Sequence, residues 1–564
     1  MEAMISWQAQ WGFDGLRSEK NRWYEVFMPR ADKLYDDHLE QLRKKGQIDG
    51  SEIGSAPGGH AARFVHGTIC SYCEQASRPG LTPGRGGRHC GRPPRLRGPT
   101  FPATMTAVQD VPLARQFVDW AYALRDEAAP EPVRQALRNC LLYNLTMGLA
   151  VDPADDPLGD VLASVARAPG ASRLLGGRGS RSACDAAFIN AGLITARGQN
   201  DTHPEVVTHI GCIVIPAVLA LAEEAAPEDI WDALLLGYEL IPRLALGLAG
   251  QTSRQGFRAT PLYGVLGAAV ACARVLRLPP AQAVSALAIA TQHASGTLQP
   301  WVDGSQEWRL QVAKASRDAV SSALLARAGM QGAPRCLEGG SGFARAYAGP
   351  AGPAAMADAK ALADWHLPRM AFKPYPGCAF NQAPVHALRA LLATIDAGQV
   401  VAVDLAMHPL DAAYPGIDAH GPFATPSGAI MSAPFMLAAT LQDGQPGMAH
   451  FTAQFGQGPL HARSAMVKVR ACESVNRWAC RLSLTLADGT VHTGGCEGDF
   501  VLDARRTREL CRDVAREWPG GPAGFADLAR AVRGQDWPAL RAAAYDGPAY
   551  DRPVNPSAVL TSPI

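Results

Sequence analysis

The chain has 564 residues, and 53 Lys and Arg residues stand against 52 Asp and Glu residues, so its formal net charge is +1. This length predicts two or three domains, and the balanced charge gives no reason to expect nucleic acid or an anionic membrane as a partner. The longest apolar stretch, near Ile210–Leu221, contains Pro216 and is too short to span a bilayer. The N-terminus has no basic-then-apolar export pattern, so we expect a cytoplasmic protein.

The cysteines are odd in number, thirteen, and most are spread singly through apolar segments. Cys140, Cys212, Cys272 and Cys511 are examples. In a large chain for which no export is expected, this distribution favours buried thiols over a disulfide framework.

Residues 1–104 are predicted to be an N-terminal extension. Ala31–Lys45 could form a helix, but Ser51–Pro102 is dominated by Gly, Pro, Arg and Ser and has no sustained apolar period. Such a segment cannot bury enough apolar surface to offset its ordering entropy. We therefore expect the extension to be poorly ordered and to contribute little to the core.

Two features of the extension allow another interpretation. Cys70-x-x-Cys73 followed by His89–Cys90 has the ligand types of a structural zinc site, but the residues between them lack the apolar positions that a small zinc fold packs. An acid-free run of arginines could contact phosphates. A solvated tail is the favoured interpretation of both features. The arginines are Arg85, Arg88, Arg92, Arg95 and Arg97.

Residues 105–364 have an almost purely helical pattern. Pro130–Pro132 opens a helix with leucines at helical spacing, and Pro227–Asp229 opens another with acidic residues in its first turn. Leu310–Ala328 is predicted as a further helix. The small residues of Gly264–Ala273 allow helices to approach closely. This region is therefore predicted to be a packed helical domain.

Residues 365–500 are predicted to be a smaller α+β domain. A helix is expected at Gln382–Leu392, and strands are expected at Val400–Met407 and Ala465–Ala471. Asp488–Gly489 lies between two further β-type runs and is a strong hairpin signal. Residues 501–564 return to helical patterning. The fold class is thus mainly α with a smaller α+β domain.

A polar cluster interrupts the apolar helices of the first domain. Asn200, Asp201, Thr202, His203 and the pair Thr208–His209 lie directly before an apolar helix that begins behind His209. The N-terminus of a helix is suited to hold an anionic substrate. On spacing alone, an ordinary loop between buried helices remains the alternative.

Several stretches resemble, in order, the motifs of the MmgE/PrpD family. The family motif leads from AAF-x-NG through D-F-D-D-T-x-H to a Pro-containing apolar helix, and here it is similar to AAFINAGLITARGQNDTHPEVVTHIGCIVIPA. GYELIPRL, GFRATPLYGVLGAAVA, ALAIATQHASG, CLEGGSGF and FKPYPGCAFNQ follow in the family's order. The likeness covers about Val111 to Phe500.

The resemblance implies a fold, an activity and a partner. The expected fold is a large all-helical domain built from both chain ends, with a smaller α+β lid, in a homodimer. The expected chemistry is deprotonation or protonation at a carbon next to a carboxylate of a small polycarboxylate, without a metal or an organic cofactor. Such chemistry needs a placed base, an acid and groups that stabilise an enediolate.

The family's site residues carry over to matching positions. Asp201, Thr202, His209 and Tyr414 are implied to be catalytic: His209 as base or acid, Tyr414 as proton donor from the lid, and Asp201 as the group that orients a neighbour. Lys373 matches the lysine that borders the cleft in the family.

The departures from the family pattern define the remaining candidates. Gly198 and Asn200 replace two aspartates of D-F-D-D-T, and Arg258 stands where close relatives have histidine. Trp308–Gln311 replaces a stretch in which the relatives have a lysine. Because arginine grips carboxylates and is a poor general base, Arg258 and Arg309 are expected to bind substrate with Lys373 and Asn200. A surface position is the alternative for Arg258.

The sequence thus predicts a lyase of the 2-methylcitrate dehydratase type that acts on a di- or tricarboxylate. A decarboxylase or an epimerase on the same scaffold is the first alternative. A polycarboxylate-binding protein that has lost catalysis is the second.

Overall fold

A computed structural model describes most of the chain beyond residue 110. The predicted N-terminal extension lies outside the described residues, as do the zinc alternative at Cys70, Cys73, His89 and Cys90 and the arginine run. The described residues are 111–156, 158–359, 364–456, 458–498 and 502–550.

Helices dominate the first part of the described chain. A short antiparallel ribbon, in which Ser172 pairs with Arg181, is inserted between the third and fourth helices. The elements are α1 Leu113–Tyr122, α2 Glu131–Leu149, α3 Leu158–Val165, β1 Ser172–Arg173, β2 Ser180–Arg181, α4 Ala183–Thr195, α5 Gly211–Leu219, α6 Pro227–Ala245, α7 Ala249–Arg254, α8 Ala259–Val275, α9 Pro280–Ala290, α10 Gln299–Asp303, α11 Glu307–Arg327, α12 Phe343–Ala348 and α13 Gly352–Ala359.

Small residues let the central helices pack closely. α8 packs against both α6 and α11. A Cβ atom at Gly264 would lie 2.5 Å from Cδ1 of Ile213, and one at Gly267 would lie 2.4 Å from Cγ1 of Ile241. A larger side chain at either position would push the helices apart, because buried side chains already fill the space.

A mixed sheet and further helices follow. β3 pairs in parallel with β4 and antiparallel with β5, which pairs antiparallel with β6, so the order is β4-β3-β5-β6. The helix α14 packs on β5 and β6. The elements are α14 Gln382–Leu392, β3 Val400–Met407, α15 Pro409–Ala412, α16 Pro426–Met431, α17 Ala433–Asp443, α18 Met448–Ala453, α19 Pro459–Ser464, β4 Val467–Ala471, β5 Cys480–Leu486, β6 Val491–Cys496, α20 Ala504–Val514, α21 Gly521–Gly534 and α22 Trp537–Tyr545.

Two large hydrophobic cores result. The first core joins buried residues between Leu113 and Phe372 with others between Cys511 and Tyr545, because α20 and α21 pack on α2. The second core surrounds the sheet and includes Trp301 and the neighbouring Trp308 from the preceding helical segment. The candidate site lies between residues of the second core and the loop that precedes α5.

The structure confirms a mainly helical fold with a small sheet. The strand predicted at Val400–Met407 has these bounds, and the predicted hairpin forms around Asp488–Gly489. The ribbon β1–β2 corrects the expectation of an all-helical first domain. The domain boundaries stay a prediction. Within the described ranges, no helix combines the length and apolar character needed to cross a membrane.

Candidate functional site

A loop between α4 and α5 carries the polar cluster that the sequence indicated. The chain leaves α4 through Gly198, whose φ of 64° lies in the left-handed region that favours glycine. The N–H of His203 donates to the carbonyl of Thr208 at 2.9 Å, which closes the loop. His209 therefore lies two residues before Gly211, where α5 begins.

Asp201 fixes the start of α5. Its carboxylate accepts a hydrogen bond from the N–H of Gly211 at 3.0 Å and another from the Tyr238 hydroxyl at 2.6 Å. Asp201 is fully buried, and its surroundings raise its pKa chiefly through desolvation, against which these hydrogen bonds act. Its carboxylate thus holds the helix that follows His209.

The hydrogen bonds of His209 define its tautomer. Nδ1 lies 3.1 Å from the carbonyl oxygen of Asp201, which can only accept a hydrogen bond, and 3.0 Å from Oγ1 of Thr202. The Thr202 hydroxyl itself donates to the carbonyl of Asn200 at 3.3 Å. Nδ1 therefore carries the proton, and the lone pair of Nε2 is available to a ligand.

The charge state of His209 follows from its surroundings. Desolvation lowers its pKa well below the ordinary value, and the positive charges of Lys373 and Arg258 lower it further. The imidazole is therefore neutral at pH 7, the form that can accept a proton.

Arg258 is buried against two tryptophans. Only 5 % of its surface is exposed, which rules out the alternative of a surface arginine. Nη1 donates to the carbonyl of Trp308 at 2.7 Å and to Oε1 of Gln311 at 3.3 Å. The guanidinium carbon lies 5.2 Å from the ring centre of Trp301 and 5.6 Å from that of Trp308. No Asp or Glu of the described chain forms an ion pair with it.

Lys373 is a second buried cation. Nζ donates to the carbonyls of Gly198 at 2.7 Å and Gly377 at 3.2 Å. These oxygens are neutral, so a third donor and the full charge remain for a ligand. Desolvation lowers the pKa of Lys373 to about 8, and Arg258 contributes to this shift.

Backbone pairing holds Lys373 beside the loop. Thr202 and Ala371 exchange two backbone hydrogen bonds, of 2.8 and 2.9 Å. One residue further along the loop, Nε2 of His203 lies 3.1 Å from Nδ1 of the buried His366. The segment that carries Lys373 is thereby tied to the segment that carries His209.

Tyr414 completes the site from the second core. Its ring packs 5.0 Å from that of Phe380, and burial raises its pKa, so the hydroxyl keeps its proton. A narrow cavity of about 40 Å³ brings it together with Asn200, His209, Arg258 and Lys373. The lining residues are Gly198, Asn200, Val207, His209, Arg258, Thr260, Trp301, Trp308, Lys373, Gly377, Cys378, Ala379, Phe380, Tyr414, Ile430 and Met431.

The cavity is electropositive. None of the described residues that line it is Asp or Glu, whereas Arg258 and Lys373 are both cations. Thr260, the second residue of α8, lines the cavity, so the N-terminus of this helix lies beside it. The partial positive charge of a helix N-terminus adds to that of the two side chains. The site is therefore built to bind an anion.

Comparison with known proteins finds a family match for the first helical segment. Residues 115–355 match the MmgE/PrpD N-terminal domain. This segment, less than half of the chain, is therefore similar to the N-terminal domain of the MmgE/PrpD family. The match contains Asn200, Asp201, Thr202, His209 and Arg258, whereas Lys373 and Tyr414 lie beyond it.

Individual relatives share low sequence identity with this chain and match only part of it. A cis-aconitate decarboxylase of Aspergillus terreus is 28% identical over 237 residues, which are 40% of this chain and 48% of that protein. The cis-aconitate decarboxylase-like protein oryM of Aspergillus oryzae is 27% identical over 268 residues, 43% of this chain and 52% of that protein. A cis-aconitate decarboxylase of Mus musculus is 31% identical over 172 residues, 29% of this chain and 34% of that protein. The chain thus spans about half or less of each relative.

Not every family-derived candidate lies at the cavity. The side chains of Asp201 and Thr202 lie behind His209 and hold it in place. Nη1 of Arg309 forms a buried ion pair with Asp156 at 2.7 Å, and Arg309 does not line the cavity. The structure therefore gives no support to Arg309 as a substrate clamp.

Sequence reasoning missed most of the apolar lining. Trp301 and Trp308 stand seven residues apart in a polar segment, which was a usable signal for an aromatic site wall. Cys378 and Phe380 lie inside the stretch that resembles the family. Ile430 was not indicated by any pattern, because only the packing of α16 brings it to the cavity.

The donor set gives no sign of a metal centre. Across the described part of the chain, no group of three or more His, Cys, Asp or Glu side chains is arranged to hold a metal ion. At the cavity, the positive charges of Arg258 and Lys373 would repel a cation. The residues present suit a bound anion instead.

Proposed function

We propose that this protein is a lyase that acts on a small di- or tricarboxylate by proton transfer at a carbon next to a carboxylate. The observation that carries the proposal is the pair of buried cations, Arg258 and Lys373, at a cavity shared with a neutral histidine. Burying cations without a carboxylate partner is unfavourable. A substrate that supplies the carboxylates relieves this cost on binding.

The arrangement assigns a role to each group. Arg258 and Lys373 bind the substrate carboxylates and stabilise the negative charge of an enediolate. Nε2 of His209 takes or returns a proton, and the hydroxyl of Tyr414 donates one. Asp201 and Thr202 act through His209, as positioning residues. Asn200 contributes polar lining.

Two lyase outcomes use these groups differently. In a dehydration, His209 removes the proton next to the carboxylate, and the hydroxide leaves with a proton from Tyr414. In a decarboxylation, a carboxylate leaves as CO₂, and the electron pair of the broken C–C bond is protonated at carbon by the same acid. Epimerisation would need proton removal and return only. The relatives' names favour decarboxylation as the first outcome to test, and dehydration remains the second candidate.

A panel of polycarboxylates with product detection tests the proposal. The full chain would be incubated with citrate-type hydroxy acids and with unsaturated acids that include cis-aconitate. Release of CO₂ identifies decarboxylation, and formation of an unsaturated acid from a hydroxy acid identifies dehydration. Thermal stabilisation without turnover would instead support the polycarboxylate-binding alternative. Absence of both binding and turnover would refute the proposal.

Substrate access requires motion of the site walls. The cavity has room for only a few water molecules, so a dicarboxylate enters only if the residues that line it move apart. We also propose a homodimer, as the family resemblance implies, which sedimentation of the full chain would test.

The charge of Lys373 predicts a pH dependence of binding. Its pKa is lowered to about 8, so the ammonium form is present below pH 8 and is lost as the pH rises through that value. Carboxylate affinity should therefore fall above pH 8, by up to about tenfold per pH unit. Titration calorimetry from pH 7 to 9.5 would measure this.

A matched pair of variants assigns this effect. Lys373→Met should bind more weakly at pH 7 and lose the alkaline decline. Lys468→Met removes an exposed lysine on β4, and this variant should keep the decline in affinity above pH 8. An unchanged decline in Lys373→Met would show that another group is responsible.

A further inference from the structure

Besides its two cations, the cavity has an apolar wall. Trp301 and Trp308 form one part of this wall, and Phe380, Ile430 and Met431 form the other. All five residues belong to the second core, and each is at most 6 % exposed. The cavity therefore combines two cationic side chains with a hydrocarbon and aromatic surface.

The tryptophan part of the wall is held in place. The ring centres of Trp301 and Trp308 are 4.7 Å apart, and Nε1 of Trp308 donates to Oγ of Ser427 at 2.9 Å. The Trp308 indole therefore offers the cavity its ring and not its single donor. A ligand group that meets this surface loses water without gaining a hydrogen bond from that ring.

The lining of the cavity carries two positive charges. Arg258 and Lys373 are cations, and His209 is neutral because burial and these two charges lower its pKa. Arg309, which could have supplied a third positive charge, is paired with Asp156 outside the cavity. Two carboxylates can thus each pair with a cationic side chain, whereas a third carboxylate finds no further cation among the described residues that line the cavity, and burying a charge without an ion-pair partner is costly.

On the basis of the proposed function, we infer that the preferred ligand is a dicarboxylate with an apolar substituent rather than a tricarboxylate. The two carboxylates bind Arg258 and Lys373, and the substituent packs on the apolar wall. This assigns the wall the role of selecting the substituent.

Three related ligands separate charge from apolar surface. Maleate carries the two carboxylates alone. cis-Aconitate adds a carboxymethyl group, and isobutylmaleate replaces the third carboxylate of cis-aconitate by an isopropyl group of similar shape. Thermal-shift titration of the full chain should give isobutylmaleate the highest affinity, roughly tenfold or more above maleate, because each buried methylene contributes about fourfold. cis-Aconitate should bind no more tightly than maleate.

A polar substitution in the wall tests its role. Met431→Gln keeps the length of the side chain but places an amide on the wall, so it should lower the ratio of isobutylmaleate to maleate affinity severalfold. Met330→Gln makes the same exchange at a residue that is 53 % exposed, and it should leave the ratio unchanged. An unchanged ratio in Met431→Gln would count against the wall as the selecting surface.

The outcomes distinguish this inference from the proposed function. If cis-aconitate binds more tightly than isobutylmaleate, the inference is overturned and the proposed function stands. If none of the carboxylates of the panel or the series binds or reacts, the proposed function fails and the inference fails with it. If isobutylmaleate binds best, both are supported.

Discussion

Replacement of His209 by alanine is expected to lower turnover by about 10²–10⁴-fold while the fold stays intact. The reason is the fixed tautomer: Nδ1 is bound to the carbonyl of Asp201 and to Oγ1 of Thr202, so Nε2 is the basic atom at the cavity. The loss should appear in turnover more than in binding, because Arg258 and Lys373 still hold the carboxylates. Steady-state rates and directly measured dissociation constants for the substrate that the panel identifies would show this.

Two further variants make the result specific. Tyr414→Phe removes only a hydroxyl from a ring that packs on Phe380, and it should likewise reduce turnover more than affinity. His492→Ala, on the edge strand β6, makes the same exchange outside the cavity and should react at the parent rate. Near-normal rates in both His209→Ala and Tyr414→Phe would mean that neither group transfers the proton.

Thr202→Val would test the positioning of His209 separately. It removes one of the two acceptors at Nδ1 and leaves the imidazole in place. We expect a smaller loss of turnover than in His209→Ala, together with a changed pH profile of turnover. A purely structural role would lower thermal stability and leave the pH profile unchanged.

The sequence predicted the site loop because its signals are local. A polar cluster followed directly by an apolar helix places His209 at a helix start whatever surrounds it, and the structure has that arrangement. The strand at Val400–Met407 and the hairpin at Asp488–Gly489 depend in the same way on alternation and turn chemistry over a few residues. The family resemblance added Lys373, which no local pattern indicated.

The orientation of Arg309 shows what a sequence pattern cannot decide. Trp308 and Arg309 are neighbours at the start of α11, so their side chains point about 100° apart around the helix axis. Which of them meets the cavity depends on the packing of α11 against the rest of the chain. In the structure Trp308 lines the cavity, and Arg309 turns to Asp156. The apolar wall was missed for the same reason, since Ile430 and Trp301 meet only through tertiary packing.

Arg258 is the residue at which this chain departs most informatively from the family pattern, and its replacement is expected to weaken binding of a dicarboxylate. Nη1 is engaged by the carbonyl of Trp308 and by Gln311. Nε and Nη2 form no hydrogen bond with the described residues and remain for a carboxylate. Loss of a charge-assisted pair of hydrogen bonds should cost roughly 1.5–3 kcal/mol, or about ten- to more than a hundredfold in affinity.

The comparison of lysine with alanine separates charge from geometry. Arg258→Lys keeps the positive charge but loses the planar fork, which both holds the Trp308 carbonyl and faces the ligand. It should therefore still weaken binding, and Arg258→Ala should weaken it further. The matched control is Arg254→Lys, at an exposed position four residues earlier in the chain. This variant should bind maleate like the parent.

Binding must be measured directly for these variants, with maleate as the common ligand, since a Michaelis constant also contains the rate of the chemical step. Thermal unfolding of each variant shows whether removal of the guanidinium that packs on Trp301 and Trp308 disturbs the wall. If Arg258→Lys and Arg258→Ala both bind maleate like the parent and unfold at the parent temperature, Arg258 is no clamp. Because Arg309 is occupied by Asp156, the carboxylates would then have to be held by Lys373 and by backbone N–H groups at the start of α8.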